Sequence, residues 1–174
     1  RGSIQFLGKE LVRAPRRQRV EAGMSFVNPP IARDQSLREF TVEENLILGQ
    51  THRGPFAKRG WLKFDSIHGN AVRSLSDFEV TDAGPRDRFR RLGLGARQRI
   101  VVAREVLRNP VLLIARSPAQ GLGLDAQEYV RKTLVLQCER GSGLLWLTED
   151  PEEALRVADR LAVLAAGRLV WLPV

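Results

Sequence analysis

Residues 100–115 read IVVAREVLRNPVLLIA, in which the pattern of a helix is followed by that of a buried strand. Apolar side chains recur at helical spacing from Ile100 to Leu107. A helix here must end before Pro110, because the residue that precedes a proline avoids the helical region. The unbroken apolar run at 111–115 has the length of a strand, and such runs are typical of central strands in parallel sheets. The stretch therefore predicts a helix that leads into a buried parallel strand.

The C-terminal part of the chain continues this alternation of helices and strands. A glycine-containing loop leads into a predicted helix around Tyr129, and the apolar residues 144–148 predict a second buried strand. Asp150 is a typical helix N-cap, and a proline stands at the first helical position after it. Two apolar runs between residues 161 and 172 flank two turn residues, a spacing that predicts a hairpin. Residues 97–174 therefore indicate an α/β fold with a core βαβ unit and a C-terminal hairpin.

The N-terminal part of the chain is less regular. Short strands are predicted at 3–7 and 24–27, with a charged stretch between them and two prolines after the second. Thr41 stands three residues before Glu44, the spacing of a capping box, and predicts the start of a short helix. Residues 50–95 are polar and punctuated by glycines, with only scattered apolar positions. We therefore expect an inserted helical subdomain at about 41–95, outside the sheet.

The length and composition are those of one globular domain. The chain has 174 residues, of which 43% are hydrophobic and 28% charged, which provides enough apolar surface for a packed core. No apolar run reaches the roughly 18 residues of a membrane span. The single cysteine, Cys138, excludes an internal disulfide and a cysteine-based zinc site, so a cytoplasmic protein is expected. The chain begins with Arg1 and not with methionine, which predicts a piece of a longer chain.

The charge is strongly positive, with 28 Lys and Arg residues against 20 Asp and Glu residues and a formal net charge of +8. A basic domain suggests nucleic acid as a partner. Arginines cluster at 13–19 and at 86–91, but no motif that recognises a nucleic-acid groove surrounds either cluster. Solvated surface arginines are the favoured interpretation. Nucleic acid is therefore not an expected partner, although it stays open as an alternative.

Glycine motifs that bind phosphate are a further class of candidates. The chain has no Gly-x4-Gly-Lys-Ser/Thr loop: the nearest approach, from Gly2 to Lys9, has one residue too many and continues with Glu10. Residues 121–126 read GLGLDA and fit the G-x-G-x-x-A fingerprint of dinucleotide sites. Residues 116–120 separate this motif from the preceding strand, whereas the fingerprint needs its turn directly at the strand end. A dinucleotide site stays open as a second alternative.

Patterns typical of catalysis or metal binding do not occur in the sequence. His52 and His68 have no partner at the spacing of metal ligands, and there is no G-x-S-x-G nucleophile elbow. We therefore predict no catalytic residue, no metal ligand and no residue for a further cofactor.

Several stretches, in their order along the chain, resemble one family. The resemblance is to the ATP-binding cassette (ABC) domain of transporters, and most closely to the second cassette of the fused two-cassette ATPase subunits of simple-sugar and nucleoside importers. The stretches that carry it read GSIQFLGKEL at 2–11, GMSFV at 23–27, FTVEENLILG at 40–49, AREVLRNPVLLI at 103–114 and ADRLAV at 158–163, followed by Gly167-Arg168.

The closer resemblance to sugar and nucleoside importers is carried by local features. They are Arg33-Asp34 ahead of the helix start, Pro118 with Gly121-Leu122 after the apolar strand, and Thr148-Glu149-Asp150 where other cassettes have a histidine.

The resemblance implies a P-loop NTPase-like cassette with a mainly parallel core sheet and a small helical subdomain. The N-terminal strands and the phosphate loop of such a cassette would lie upstream of Arg1. The resemblance also implies ATP and Mg²⁺ as cofactors, and a second cassette and a transmembrane permease as partners. The expected location is the cytoplasmic face of the membrane, without a transmembrane segment in the chain itself.

Residues that carry the family's magnesium chemistry are replaced. In the family the apolar strand ends in an Asp-Glu pair, of which the Asp orients magnesium and the Glu polarises the attacking water. This sequence has Arg116 and Ser117 at those positions. A cation cannot hold a cation, and a serine is no general base at neutral pH. Gly123 also stands where the family has an Asp after Gly121-Leu122.

The signature stretch of the family is only partly retained at residues 92–98. Leu92, Gly95 and Gln98 match it, and these three are the nucleotide-binding residues that the resemblance implies. The serine that would contact phosphate is lost. In addition, Asn28-Pro29-Pro30 replaces the polar loop that senses nucleotide and contacts the permease.

These replacements favour a catalytically degenerate cassette. Strands, helix caps and the final hairpin keep the family's form, whereas the residues for phosphate and magnesium do not. We therefore hypothesise an ATP-binding subunit, fragmentary or degenerate, of a sugar or nucleoside importer, which forms the passive half of a pair and does not hydrolyse ATP by itself. The alternatives are a basic module that binds nucleic acid or a dinucleotide, and a truncated gene product without a function.

Overall fold

The computed structural model describes residues 2–32, 35–52 and 54–172 of the chain. The local resemblance at Arg33-Asp34 lies outside these residues. The first part of the chain forms short elements, which are β1 (Gln5–Phe6), β2 (Lys9–Glu10), α1 (Arg16–Glu21), β3 (Met24–Val27), α2 (Val42–Leu46), β4 (Ala57–Lys58), β5 (Trp61–Leu62) and α3 (Phe64–Asp77).

The second part has longer helices and strands. They follow a short 3-10 helix (Phe89–Arg91) and are α4 (Leu94–Val106), β6 (Leu112–Arg116), α5 (Leu124–Glu139), β7 (Gly143–Leu147), α6 (Pro151–Val157), β8 (Leu161–Ala165) and β9 (Arg168–Leu172).

Strands β3, β6 and β7 form the central sheet, in that order and all parallel. Leu113 of β6 stands between Ser25 of β3 and Leu144 of β7, and Ala115 lies at the centre of another row. Helix α4 packs against β3, and helix α5 packs against β7. The two helices bury one face of the sheet. The parallel sheet, with helices connecting its strands, confirms the predicted α/β architecture.

The strand predicted at 111–115 is β6, shifted by one residue toward the C-terminus. The helix predicted before it is α4, which ends at Val106. Asn109 has a φ of 49°, so the chain turns sharply before Pro110. The proline thus separates the helix from the strand, as the sequence predicts.

Strand β7 is less buried than the sequence predicts. About half of each of Leu145 and Leu147 is exposed, at 48% and 44%. Within the described residues β7 pairs with β6 alone, so it is an edge strand. The expectation of a second buried strand is wrong. An apolar run shows that a segment is hydrophobic, but burial also depends on how many strands lie beside it. The hairpin predicted at 161–172 is confirmed as β8 and β9, whose side chains are also largely exposed.

The predicted N-terminal strand is a short hairpin in the structure. Strand β1 pairs with β2 across a turn at Leu7 and Gly8, which both have positive φ (49° and 75°). The Glu10 carboxylate accepts the backbone N–H groups of Val12 and Ile4 at 2.9 and 3.1 Å, and these bonds lower the pKa of Glu10. The charged stretch expected to separate the strands at 3–7 and 24–27 is itself structured, and it contains β2 and α1.

Helix α2 begins at the predicted capping box. The Thr41 hydroxyl accepts the N–H of Glu44 at 3.3 Å, and the Glu44 carboxylate accepts the N–H of Thr41 at 2.7 Å. Helix α3 buries Ile67, Ala71 and Leu75, and both helices contact α4. Helices thus lie where the sequence predicts them, and the division of the chain into a helical subdomain and a core stays a prediction.

Three charged residues form a buried ion cluster: Arg104 and Glu105 lie on α4, and Arg108 lies just beyond its end. The Glu105 carboxylate, 1% exposed, accepts from Arg104 Nε and Arg108 Nη1, both at 2.8 Å. Buried ion pairs are stable only where the remaining donors are also hydrogen-bonded. Arg104 meets this condition by donating to the carbonyl oxygens of Asn45 and Gln35, at 3.3 and 2.7 Å.

The buried ion cluster connects three other segments to α4. The Ser25 hydroxyl of β3 donates to the carbonyl oxygen of Glu105 at 3.0 Å. Arg108 donates to the carbonyl oxygen of Leu48, just after α2. The bond to Gln35 reaches the loop that follows β3. The cluster therefore fixes the positions of β3, this loop and α2 relative to one another.

Replacing the central carboxylate tests this role. We expect Glu105→Leu to lower the free energy of unfolding by about 3–5 kcal/mol, because two guanidinium groups lose their buried counter-charge. Urea denaturation measures the change. The control is Glu139→Leu at the exposed end of α5, which should change stability by no more than about 0.5 kcal/mol. Equal, small effects of the two substitutions would contradict the role of the cluster.

Candidate functional site

The carboxyl ends of the three parallel strands meet at one edge of the sheet, where open α/β folds place their binding sites. Strand β3 is followed by Asn28, β6 ends at Arg116, and β7 is followed by Thr148. The first turns of α4 lie at the same edge, because Gln98 hydrogen-bonds to the backbone beyond β3 and β6. We call these strand ends and the start of α4 the sheet-edge site.

Arg116 and Ser117 occupy the end of β6, where the family resemblance implies an acidic pair. The side chain of Arg116, the last residue of β6, is exposed. Ser117 is half-buried, has a φ of 39° and donates its backbone N–H to the carbonyl oxygen of Leu147 at 2.7 Å. The backbone at this strand end is therefore held by β7, and the side chains that it presents are a cation and a hydroxyl.

The residues of the sheet-edge site do not fit a magnesium ion. Magnesium is held by carboxylate and other hard oxygen ligands, and the end of β6 carries a guanidinium instead. Asp150, beyond β7, serves as the N-cap of α6 and accepts the N–H groups of Glu152 and Glu153 at 2.9 and 3.3 Å. Across residues 2–32, 35–52 and 54–172, no group of three His, Cys, Asp or Glu residues could hold a metal ion.

Gln98 is a fully buried hydrogen-bond hub of the sheet-edge site. Its amide nitrogen donates to the carbonyl oxygens of Asn28 at 3.0 Å and Pro118 at 2.7 Å. Its amide oxygen accepts from Gln35 Nε2 at 3.3 Å, and the Gln35 amide oxygen accepts the backbone N–H of Asn28 at 3.0 Å. Buried polar groups need such partners to be tolerated. Gln98 therefore links the ends of β3 and β6 to α4.

Leu92 and Gly95, the other two predicted nucleotide-binding residues, flank the start of α4. Leu92 is 8% exposed and packs in the hydrophobic core. A Cβ at Gly95 would lie 3.5 Å from the Cβ of Ala126, an ordinary van der Waals distance, so packing against α5 does not require a glycine there. The geometry gives Leu92 a role in packing and Gln98 a role in positioning. That Leu92, Gly95 and Gln98 contact a nucleotide stays a prediction.

A cavity of about 220 Å³ adjoins the sheet-edge site, between the loop after β3 and the start of α4. Two guanidinium groups, of Arg38 and Arg97, line it, and none of the described residues that line it is acidic. Arg97 donates from Nε to the carbonyl oxygen of Phe89 at 3.0 Å. Its burial, together with the charge of Arg38, lowers the pKa of Arg97. Among the described residues, the lining of the cavity therefore carries an excess of positive charge.

The described residues give the dinucleotide and nucleic-acid alternatives little support. A Cβ at either Gly121 or Gly123 would have no neighbour within 4 Å, so no close backbone approach requires these glycines. In the arginine clusters, Arg88 donates to the carbonyl oxygen of Glu39 at 2.6 Å and Arg17 pairs with a carboxylate one helical turn away. These arginines are occupied by contacts within the chain.

The sequence patterns missed the arginine pair of the cavity and the buried ion cluster. Arg38 and Arg97 come together only because the loop after β3 folds against α4, and nothing local predicts that contact. A signal for the cluster does exist: Arg104 and Glu105 interrupt an otherwise apolar run that spans all faces of the predicted helix. Charges on a helix that is apolar all round indicate ion pairs inside the protein.

Sequence comparisons find relatives among the ATP-binding subunits of importers. The chain is 33% identical over 168 residues to the nucleoside import ATP-binding protein NupA of Lactococcus lactis subsp. cremoris. It is 29% identical over 169 residues to the guanosine import ATP-binding protein NupO of Bacillus subtilis. Both matches cover 97% of this chain and 33% of the relative, so the chain spans about a third of the length of these relatives. No protein-family model matches the chain.

Solved structures provide an independent comparison of the fold. An ATP-binding cassette in a dimeric post-hydrolysis state, bound to ADP and Pi, superimposes with a TM-score of 0.75 at 21% sequence identity. The superposition covers 99% of this chain and 74% of that one. Within residues 2–32, 35–52 and 54–172, no helix has the length and hydrophobicity needed to cross a membrane.

The hub role of Gln98 leads to a prediction about stability. We expect Gln98→Leu to lower the free energy of unfolding by about 2–4 kcal/mol, because two carbonyl oxygens and the Gln35 amide lose buried partners. Thermal and urea denaturation measure this loss. The matched substitution Gln120→Leu lies at an exposed position of the loop after β6 and should change stability by no more than about 0.5 kcal/mol. A Gln98→Leu protein as stable as the unmodified chain would refute the hub.

Proposed function

We propose, on the premise that this chain is a homologue of the ATP-binding subunits of ABC importers with the cassette fold, that it acts as a passive cassette. In this role it pairs with a second cassette that hydrolyses ATP, and it does not catalyse hydrolysis itself. The assembly imports a nucleoside or a sugar and lies on the cytoplasmic face of the membrane. Because the chain spans about a third of its relatives' length, activity, substrate and partners all belong to this proposal.

The end of β6 carries the proposal. Hydrolysis of a phosphoanhydride requires stabilisation of the phosphate charge and a residue that orients the attacking water. Arg116 supplies neither a magnesium ligand nor a base, and the Ser117 hydroxyl stays protonated at neutral pH. The parallel strands and the buried hydrogen bonds of Gln98 beside these residues are nevertheless formed. A chain that keeps the scaffold and lacks the reactive groups suits a structural partner in a pair.

The start of α4 is the part of the chain that we propose faces a nucleotide. The first N–H groups of a helix have no partners within the helix and carry its positive partial charge, so they attract an anion. Gly93, the N-cap residue of α4, supplies no side-chain cap to these groups. Gln98 and Leu92 would then act as positioning residues, which hold the helix start at the edge of the sheet.

The arginine-lined cavity is the part that we propose contacts the permease. It lies beside Asn28-Pro29-Pro30, which stands in the loop that the resemblance assigns to permease contact. Arg38 is exposed at its rim, and Arg97 is half-buried inside. An acidic side chain on a cytoplasmic element of the permease would neutralise the two guanidinium groups, which repel each other in the free chain.

Measurements of ATP hydrolysis test the passive role. We expect no turnover by the chain alone, and turnover when it is mixed with a complete importer cassette that has a phosphate loop and an acidic pair. Arg116→Ala and Ser117→Ala in this chain should leave that rate within about twofold, because in the proposed role neither side chain takes part in the hydrolysis that the partner catalyses. Removing the catalytic acid of the complete cassette should abolish it.

Turnover by this chain alone would overturn the proposal. So would a mixed rate that falls as strongly with Ser117→Ala as with loss of the partner's acid, because the chain would then contribute to the chemistry. A rate unchanged by addition of this chain would exclude a functional pair.

A charge reversal tests the permease contact. We expect Arg38→Glu to weaken the binding of the chain to its permease by at least roughly tenfold, because like charges would meet in the cavity. Co-purification with the permease in detergent, followed by titration, measures the affinity. Arg140→Glu, an equal change in charge at the exposed end of α5, serves as the control and should have little effect. Equal weakening by both substitutions would show that net charge, and not this cavity, governs binding.

A further inference from the structure

An exposed aromatic and basic patch lies on the β4–β5 hairpin and at the start of α3. We define this interfacial patch as Lys58, Arg59, Trp61, Lys63 and Phe64. Trp61 is 82% exposed and Phe64 is 74% exposed, an unusual degree for side chains of this size. All residues from 58 to 65 are exposed, so no other described part of the chain covers the patch.

The hairpin below the patch is firmly attached to the protein. Phe56 is buried with Ile47 and Ile67 in a separate apolar cluster, and its carbonyl oxygen accepts the N–H of Lys63 at 2.9 Å. Across the hairpin, Lys58 pairs with Trp61, so these two side chains share a face. The patch is therefore presented by ordered backbone on both sides of its turn.

The turn between β4 and β5 exposes positively charged side chains. Arg59 and Gly60 have φ values of 52° and 85°, the conformation of a tight two-residue hairpin turn. Between residues 54 and 68 there are three Lys or Arg side chains and one acidic residue, Asp65. In the described structure Lys58, Arg59 and Lys63 form no ion pair, which leaves their charges available to a partner.

We propose that the interfacial patch binds the surface of an anionic lipid bilayer. Tryptophan favours the boundary between lipid headgroups and hydrocarbon, and phenylalanine adds apolar area that enters the same layer. Lysine and arginine around them bind anionic headgroups, and each contributes to membrane affinity. The inference goes beyond the passive-cassette role and does not depend on nucleotide binding or hydrolysis.

The shape of the patch favours a bilayer over a nucleic acid. Single-stranded nucleic acid is bound in a basic groove whose aromatic side chains stack with successive bases. Trp61 and Phe64 instead stand on an exposed hairpin and helix start. A convex tip with aromatic side chains and surrounding cations can enter the headgroup layer without deforming the protein.

Vesicle binding tests the proposal. We expect the 174-residue chain to sediment with phosphatidylglycerol vesicles and much less with phosphatidylcholine vesicles, and to dissociate as salt is raised. Changing Lys58, Arg59 and Lys63 together to Gln should weaken binding to phosphatidylglycerol on the order of a hundredfold, roughly fivefold for each cation. The double substitution of Trp61→Ser with Phe64→Ser should weaken binding to both lipids by more than roughly tenfold.

Matched controls separate the patch from general charge and hydrophobicity. Leu155→Ser with Leu164→Ser removes two side chains that are 65% and 73% exposed elsewhere. Changing Arg86, Arg91 and Arg140 together to Gln removes the same charge as the basic variant from other exposed positions. Both controls should retain binding within about threefold if the patch carries the affinity. Equal losses in the patch variants and the controls would overturn the proposal.

Tryptophan fluorescence reports insertion with the patch intact. Trp146→Phe with Trp171→Phe leaves Trp61 as the reporter. The buried Trp146 indole N–H has no hydrogen-bond partner among the described residues, so phenylalanine replaces this tryptophan at little cost. We expect the emission of Trp61 to shift to shorter wavelength with phosphatidylglycerol vesicles and to be quenched by brominated lipid. Unchanged emission would refute insertion even if a patch variant failed to fold. Binding of single-stranded RNA through the same patch, without quenching by lipid, would also overturn the proposal.

Discussion

Glu105 holds two guanidinium groups inside the protein, and the arrangement of the core depends on this contact. A charged triad out of water is stable only if most of its remaining donors find acceptors. The acceptors come from segments far apart in sequence, among them the carbonyl oxygens of Gln35 and Leu48. Since β3 also binds the Glu105 backbone through Ser25, the triad fixes α4 against the sheet. The placement of Gln98 at the sheet edge follows from it, because both residues lie on one rigid helix.

At the sheet edge, the residue that stabilises the fold is not the residue at the position tied to the chemistry. Gln98 satisfies buried groups of two loops, so its replacement would cost folding free energy whether or not a ligand is bound. Arg116 is the exposed last residue of β6, and at this position water can hydrate either a carboxylate or a guanidinium. Replacing the acidic pair that the resemblance implies at this position would therefore cost the fold little. This difference would allow a cassette scaffold to keep its stability without acidic residues there, as the proposed passive role requires.

Local signals in the sequence predicted the elements that depend on local chemistry. The capping box at Thr41, the N-cap at Asp150 and the proline that separates α4 from β6 all lie within a few residues of what they determine. The partial exposure of Leu147 and the burial of Arg104 depend instead on which segments become neighbours in space. For the same reason the sequence missed the cavity, whose two arginines come from different segments, and its assignment of Arg116 and Ser117 as replaced site positions stays a prediction.

The excess of positive charge divides into two populations with different physical roles. Most of the half-buried arginines donate to backbone carbonyl oxygens, as Arg97 does at the 3-10 helix and Arg99 does at Glu79. A guanidinium has five donors in a fixed plane, so it can satisfy carbonyl groups at helix ends and loops that would otherwise lack partners. Lys58 and Lys63 have compact charges on flexible stems and point outward beside aromatic side chains. Net charge alone therefore does not identify a ligand, because the half-buried arginines serve the fold, whereas Lys58, Arg59 and Lys63 of the hairpin remain available to a surface.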